Sequence, residues 1–385
     1  MFSLMNKFIL FLVFFIAPLL YDTPLSGGVL AIELLLIFMC GITSHAEKGT
    51  KDRCFWGVSI LFILFGLWSF LSFILFEINL KSLIRIVQII VCYLTLRLAR
   101  NTRWTSSELR MVNSVTEGLV VLMFLYWILF NRTLSEYQFI FSNSDTFGSV
   151  LLVYILILYS FKDKLSLFIL LGLFVLLLTG SRANFLTAVF FIGAVYILNN
   201  HRKLIILSDK VIFILFITIV VAFIAIYPSL LLFDVGVQLD ELSKAYLGKN
   251  LLSGRNIVWL EMYDLIGKSP IIGYGLSADP SLAGIQKSCH NTFIQTGLQT
   301  GIVGVVLLFL ILYMLYRYFS KVICGRSKYY GMCLVMCIIL HECFEICLTQ
   351  NSFTIGIMMW FLLGLRCNKN AVTILDNKNY GNSFK

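Results

Sequence analysis

The residues of this chain that could do chemistry are a few cations set among apolar segments. Arg182 sits in Leu178-Thr179-Gly180-Ser181-Arg182-Ala183-Asn184, Arg255 follows Gly254, and His290-Asn291 comes just before a long apolar run. Between the last two lies the turn-rich Pro270-Ile271-Ile272-Gly273-Tyr274-Gly275. Lys81, Arg85 and Gln88 recur at spacings that put all three on one face of a helix. A guanidinium is a permanent charge whose planar fork matches phosphate and carboxylate oxygens, and an imidazole exchanges protons near neutral pH. Such groups on one face of a membrane bundle suggest chemistry on an anionic, lipid-linked substrate.

The elements that must position them are membrane helices. The chain is 59% hydrophobic and only 13% charged, with a mean hydropathy of +0.91, a composition that excludes an ordinary soluble domain. Apolar runs long enough to cross hydrocarbon as helix predict about twelve spans. They fall near Lys7–Leu20, Leu25–Ile42, Cys54–Phe76, Leu80–Leu98, Met111–Phe130, Phe147–Phe161, Leu165–Thr179, Ala183–Leu198, Val211–Phe233, Thr292–Tyr316, Tyr329–Leu348 and Phe353–Leu365. The expected fold is therefore all-α: a single polytopic membrane domain over 1–367, with one long extracytoplasmic loop at about 234–290. A polar tail, 368–385, is expected to be disordered and cytoplasmic.

Lysine and arginine set the orientation. With both termini inside, most of the 30 basic residues fall on the cytoplasmic side, among them Lys48, Lys51, Arg97, Arg100, Arg103, Lys164, Arg202, Lys203, Arg317 and Lys321. The net charge of +10 reads as this topological signal and not as nucleic-acid binding. Ala17-Pro18 lacks a small-x-small cleavage pattern, so the first span reads as an uncleaved anchor. The ten cysteines show no disulfide framework, and pairs such as Cys343/Cys347 lack zinc spacing; no metal site is expected.

Two helices are expected in the long loop. Gln238–Leu247 places Leu239, Leu242 and Tyr246 on one stripe. The second starts after Asn256, read as its cap, and runs Ile257–Ile266 with Trp259 and Tyr263 as anchors at the headgroup boundary. Arg182 in its short outer turn is either a snorkelling residue or a ligand-holding one. Arg85 lies inside its span, so its charged face should turn to the bundle or to a wet cavity. His341, Glu342 and Glu345 form a second polar cluster, with His341 and Glu345 one turn apart, read as a gate or as groups that support the site from behind. Glu33 lies near mid-membrane and needs a partner.

These segments resemble the O-antigen ligase and O-antigen polymerase superfamily of bacterial envelope glycan enzymes. The resemblance rests on Leu178–Asn184, Gly254-Arg255 with Trp259, Pro270–Gly275, and His290–Phe293 followed by Gly301–Gly304. The N-terminal half is similar mainly in hydrophobic profile, with Arg85 and Gln88 matching a polar helix of the family. Arg182 and Gly193 fit an Arg, ten residues, Gly pattern described for some polymerases; Arg255 departs from it, because Gly267 is one residue too far.

The resemblance implies a membrane glycosyltransferase without a cofactor. It would be a polymerase that joins undecaprenyl-pyrophosphate-linked repeat units of surface polysaccharide on the outer face of the bacterial inner membrane. Under it, Arg182 and Arg255 hold the charge of the leaving pyrophosphate, and Lys81, Arg85, Gln88 and Asn291 bind substrate. His290 orients or deprotonates the acceptor hydroxyl. The implied partners are the lipid-linked oligosaccharide and membrane lipid, with a chain-length regulator and a flippase. The alternatives are a ligase passing glycan to lipid A–core, a protein O-glycosyltransferase, or a glycolipid flippase or other transporter. A transporter predicts internal repeats and charges or broken helices near the midplane, whereas the notable charges here gather at the outer ends.

Overall fold

In hydrocarbon the backbone must satisfy its own polar groups, and a run of apolar residues does so most simply as a helix. The computed structural model describes residues 2–43, 53–76, 78–131, 136–162, 165–201, 207–247 and 250–380, whose regular structure is all helix, with no strand among them. Lys48, Lys51, Lys164, Arg202 and Lys203, counted above as cytoplasmic charge, lie outside the described residues.

In chain order, α1 (Phe2–Phe11) runs through a π-turn (Leu12–Ile16) into α2 (Ala17–Leu19), followed by α3 (Ser26–Thr43), α4 (Arg53–Leu75) and α5 (Leu80–Asn101). Then come α6 (Ser106–Tyr126), α7 (Ser144–Lys162), α8 (Leu167–Leu178), α9 (Arg182–Asn200) and α10 (Asp209–Ile226). The polar interruption holds α11 (Asp234–Leu247) and α12 (Arg255–Lys268). The chain returns to the bundle as α13 (Thr292–Val322), α14 (Gly325–Glu342) and α15 (Phe353–Cys367), and continues as α16 (Lys369–Tyr380).

Among the described residues seven helices are long and apolar enough to cross a membrane, and Leu4–Leu19, Ser26–Ile42, Leu167–Leu178 and Phe353–Cys367 are shorter apolar helices. The protein is a polytopic membrane protein. α7 is buried all round from Val150 to Leu158, as a central helix must be. By contrast α4, α8 and α10 turn Ile63, Leu67, Leu170, Leu177, Ile214 and Ile219 outward. Around the centre, α5 lies against α15 and α3, α4 against α13, and α9 against α14 and α7.

Two interruptions shape the end of the bundle that carries the long loop. The first is in α13, where Gly301 takes φ 66° and ψ −172° and breaks the helix. The carbonyls this frees are met by protein donors. Tyr274 N–H reaches Leu298 O (2.8 Å), Gly275 N–H reaches Gln299 O (3.1 Å), and the indole of Trp68 reaches Thr300 O (2.8 Å). A Cβ on Gly301 would run into Ile271 O, so the Pro270–Gly275 turn docks into the break because residue 301 has no side chain. A helix break was expected of a transporter; this one sits toward the loop end of α13 and is capped by protein.

The second interruption follows α14. The span was expected to run to Leu348 but ends at Glu342, and the chain through Ser352 is non-helical. Glu342 is the physical reason: its Oε2 accepts from the N–H groups of Cys347 (3.2 Å) and Leu348 (3.0 Å) and from the Thr292 hydroxyl. A buried carboxylate thereby satisfies backbone that a helix would otherwise satisfy.

Three further expectations are corrected. α12 starts at Arg255 and its cap is Gly254 in the left-handed region (φ 76°), not Asn256. Trp259 and Tyr263, expected as anchors facing the headgroups, have protein partners: Trp259 is fully buried and donates to Cys289 O (2.6 Å), and the half-buried Tyr263 donates its hydroxyl to Ile224 O (2.7 Å). The two rings are therefore spent on seating α12 against the bundle. Finally, the tail is helical through Tyr380, because Asn368 caps the Ala371 N–H and Ala371, Val372 and Leu375 are buried.

Candidate functional site

The tight turn before α9 projects Arg182. Thr179 Oγ1 accepts from Ser181 N–H (3.1 Å), and the carboxamide of buried Asn184 donates to Ser181 Oγ (2.9 Å) and Asp145 O (3.2 Å). The small polar residues of Leu178–Asn184 are thus used to build the turn. Arg182 itself crosses to the long loop, donating to Ser243 Oγ (3.0 Å), Asn250 O (2.9 Å) and Ser253 Oγ (3.2 Å). All three partners are neutral, and among the described residues no carboxylate lies within ion-pair distance of it.

Arg255, the first residue of α12, stands 3.9 Å from Glu345 and lies near the Phe344 ring (5.8 Å). Both Arg255 and Arg182 act electrostatically on the phenol of Tyr227, which donates to Leu252 O (3.3 Å). The two arginines therefore share a neighbourhood around Tyr227, whose ring packs on Trp259 (4.8 Å between centroids).

His290 completes the group. Its Nδ1 lies 3.3 Å from Glu345 Oε2, and its backbone is in the left-handed region with φ 45°. That conformation costs a non-glycine residue on the order of 1–3 kcal/mol and aims the imidazole at Glu345. The neighbouring Cys289 is no nucleophile: burial pushes its thiol up to about 12, and Sγ donates to Asn291 O and Gln295 Oε1 (both 3.4 Å).

Asn291, expected to bind substrate, has its carboxamide committed within the protein. Its Oδ1 caps α13 by accepting from Phe293 and Ile294 N–H (both 2.9 Å), and its Nδ2 donates to Cys343 O (3.0 Å). It fixes the start of α13 to the unwound segment that carries Glu345.

Lys81, Arg85 and Gln88 do share a face, and they meet the loop at a second place. Arg85 donates to Gln88 Oε1 (2.9 Å) and Asn351 Oδ1 (3.3 Å), while Lys81 pairs with Asp279 (2.5 Å). Lys81, Arg85, Asn351 and Asp279, but not Gln88, line a cleft of about 380 Å³ together with Lys287, Ser288, Gln295 and Gln299. Burial alone would raise the Asp279 carboxyl, but hydrogen bonds from Lys81 and Ser281 outweigh it and hold the group below the usual carboxylate range.

Glu345, Tyr227 and Asp279 are the members that sequence reasoning missed or misplaced. Glu345 was noted beside His341, yet the two do not act together. His341 is buried against Glu342 (2.9 Å) and Ser149 (3.1 Å), away from His290. His341, Glu342 and Cys347 bring three ligand-type atoms within 4.8 Å of one another, a cluster that no sequence spacing announced. Protein groups already use its polar atoms, so the trio reads as a hydrogen-bonded joint. Glu33 is fully buried, and neither carboxyl oxygen has a partner among the described residues. Gly193 lies about three turns along α9 from Arg182, lining a cleft with Tyr159, Tyr196 and Arg326, so the Arg182–Gly193 spacing does not bring the two together.

Fold and site together define a polytopic helical membrane protein with a cationic site, built around a histidine–glutamate pair, at one end of its bundle. Residues 167–309 match the family model described as O-antigen ligase. The match makes this stretch similar to the O-antigen ligase/polymerase superfamily, whose members act as membrane glycosyltransferase-like enzymes on lipid-linked glycans. The matched range contains Arg182, Arg255 and His290, while Lys81, Arg85, Gln88 and Glu345 lie outside it. A search of curated proteins returns no match.

Proposed function

We propose that this protein is a surface-polysaccharide polymerase, joining oligosaccharide repeats carried on undecaprenyl pyrophosphate at the outer face of the bacterial inner membrane. The observation that carries this is the charge arrangement. Arg182 has only neutral partners, Arg255 is loosely paired at 3.9 Å, and the carboxylate it faces also holds His290.

Breaking the bond between the donor sugar C1 and the pyrophosphate oxygen leaves the electron pair on that oxygen. Arg182 and Arg255 meet the charge as it grows, with two forks already in place. Glu345 beside Nδ1 holds His290 as the Nδ1–H tautomer, which leaves Nε2 to accept the proton of the acceptor hydroxyl as its oxygen bonds to C1. The products are a lengthened lipid-linked glycan, undecaprenyl pyrophosphate and one proton released from His290. Asn291 positions His290 and Glu345 relative to each other.

The test is reconstitution. Purified protein in vesicles, given lipid-linked single repeats as the only glycan, should produce a ladder of longer lipid-linked chains and release undecaprenyl pyrophosphate. If no ladder forms, and glycan instead moves to lipid A–core when that acceptor is added, the protein is a ligase.

A further inference from the structure

The cleft between α5 and residues 278–288 does not include the arginine pair, and each of the two is tied to His290 through a different residue. Glu345 joins His290 to Arg255. Ser288, which lines the cleft, accepts the His290 N–H (3.3 Å). The cleft wall is built: Gln295 and Gln299 both donate to Ala278 O (2.7 and 3.1 Å), pinning the loop that carries Asp279. Into this space come Lys81, Arg85 and Lys287 against the single carboxylate of Asp279. Arg85 has only neutral hydrogen-bond partners, and its Nε is buried with none among the described residues. About 380 Å³ is within the ordinary range of small-ligand clefts.

We propose that this cleft is a second anion site, which seats the pyrophosphate of the acceptor lipid while Arg182 and Arg255 hold that of the donor; the assignment rests on the polymerase reading above. A transferase whose two substrates both carry a pyrophosphate must keep two like-charged groups apart and still bring their sugars to one base. Two cationic centres, one tied to His290 through Glu345 and the other through Ser288, meet that need. Asp279 pairs with Lys81 (2.5 Å), and an arriving pyrophosphate would displace it. The carboxylate therefore competes with the ligand and eases its release once the glycan has grown.

The test uses the full chain in nanodiscs and farnesyl pyrophosphate, a prenyl pyrophosphate with no sugar and hence no turnover. The wild-type protein should bind two equivalents. Lys81→Gln with Arg85→Gln should lose one, and Arg182→Gln with Arg255→Gln should lose the other; the site retained in each variant shows that it has folded. Asp279→Asn should tighten the cleft by about threefold, the scale of a partly exposed ion pair. A single equivalent in the wild type, lost in either double variant, would mean one composite donor site and overturn the proposal. Two equivalents that survive Lys81→Gln with Arg85→Gln would overturn it as well. If only the Arg182/Arg255 variant keeps both, the donor assignment fails and the cleft assignment stands. Farnesyl pyrophosphate binding more tightly than inorganic pyrophosphate at the cleft supports a lipid occupant, and equal binding overturns that part.

Discussion

At 3.3 Å from His290 and 3.9 Å from Arg255, the Glu345 carboxylate is shared between an imidazole and a guanidinium. It orients the imidazole without neutralising the arginine, so Arg255 stays available to a phosphate. Fixed donors aimed at developing charge are worth about a hundredfold or more in rate. Arg182→Ala and Arg255→Ala should therefore each reduce turnover by about that factor at unchanged membrane abundance. Lysine at either position should restore only part of it, since it lacks the planar fork. His290→Ala should be comparably damaging, and His201→Ala, at the far end of α9, should be mild. Labelled lipid-linked repeats and a quantitative blot measure both quantities. Full turnover in Arg182→Ala would reduce that arginine to a clamp on Ser243, Asn250 and Ser253.

At the scale of elements, the site depends on two places where helix stops being helix. The unwound stretch after α14 delivers Glu345 and Asn351, and the break at Gly301 receives the Pro270–Gly275 turn. Both sites satisfy their backbone with named donors or acceptors, which is what permits irregular chain at this depth. Gly301→Ala forces a side chain into Ile271 O and a strained φ. It should cost roughly 1–3 kcal/mol, seen as a lower apparent melting temperature in detergent. Trp68→Phe, which removes one hydrogen bond to Thr300 O, should cost about 1 kcal/mol. An unchanged melting temperature in Gly301→Ala would show that the turn does not depend on the break.

For the molecule as a whole, the decisive question is which face the site occupies, since lipid-linked repeats are joined outside the membrane under the proposed reading. The excess of lysine and arginine at the opposite helix ends argues for N-in and C-in. Reporter fusions after Arg103 should score cytoplasmic, and fusions near Asn143 and Ser253 should score external. A cytoplasmic signal at Ser253 would put Arg182, Arg255 and His290 on the wrong side for this chemistry.

Hydropathy and spacing were enough to read the all-helical membrane fold and the positions of most of its apolar helices, because each of these is a local property of the chain. Lys81, Arg85 and Gln88 on one face follow from helix geometry alone. What only the tertiary structure decided is which groups share a site. Glu345 joins His290 because Glu342 collects the N–H groups that end α14 early. Asn291 spends its carboxamide on capping, and Asp279 meets Lys81 across nearly two hundred residues of chain. Trp259 and Tyr263 have the amphipathic character of interfacial anchors, yet donate to Cys289 O and Ile224 O. An amphipathic side chain declares that it needs both an apolar body and a polar partner; only packing settles whether water, lipid or a distant carbonyl supplies them.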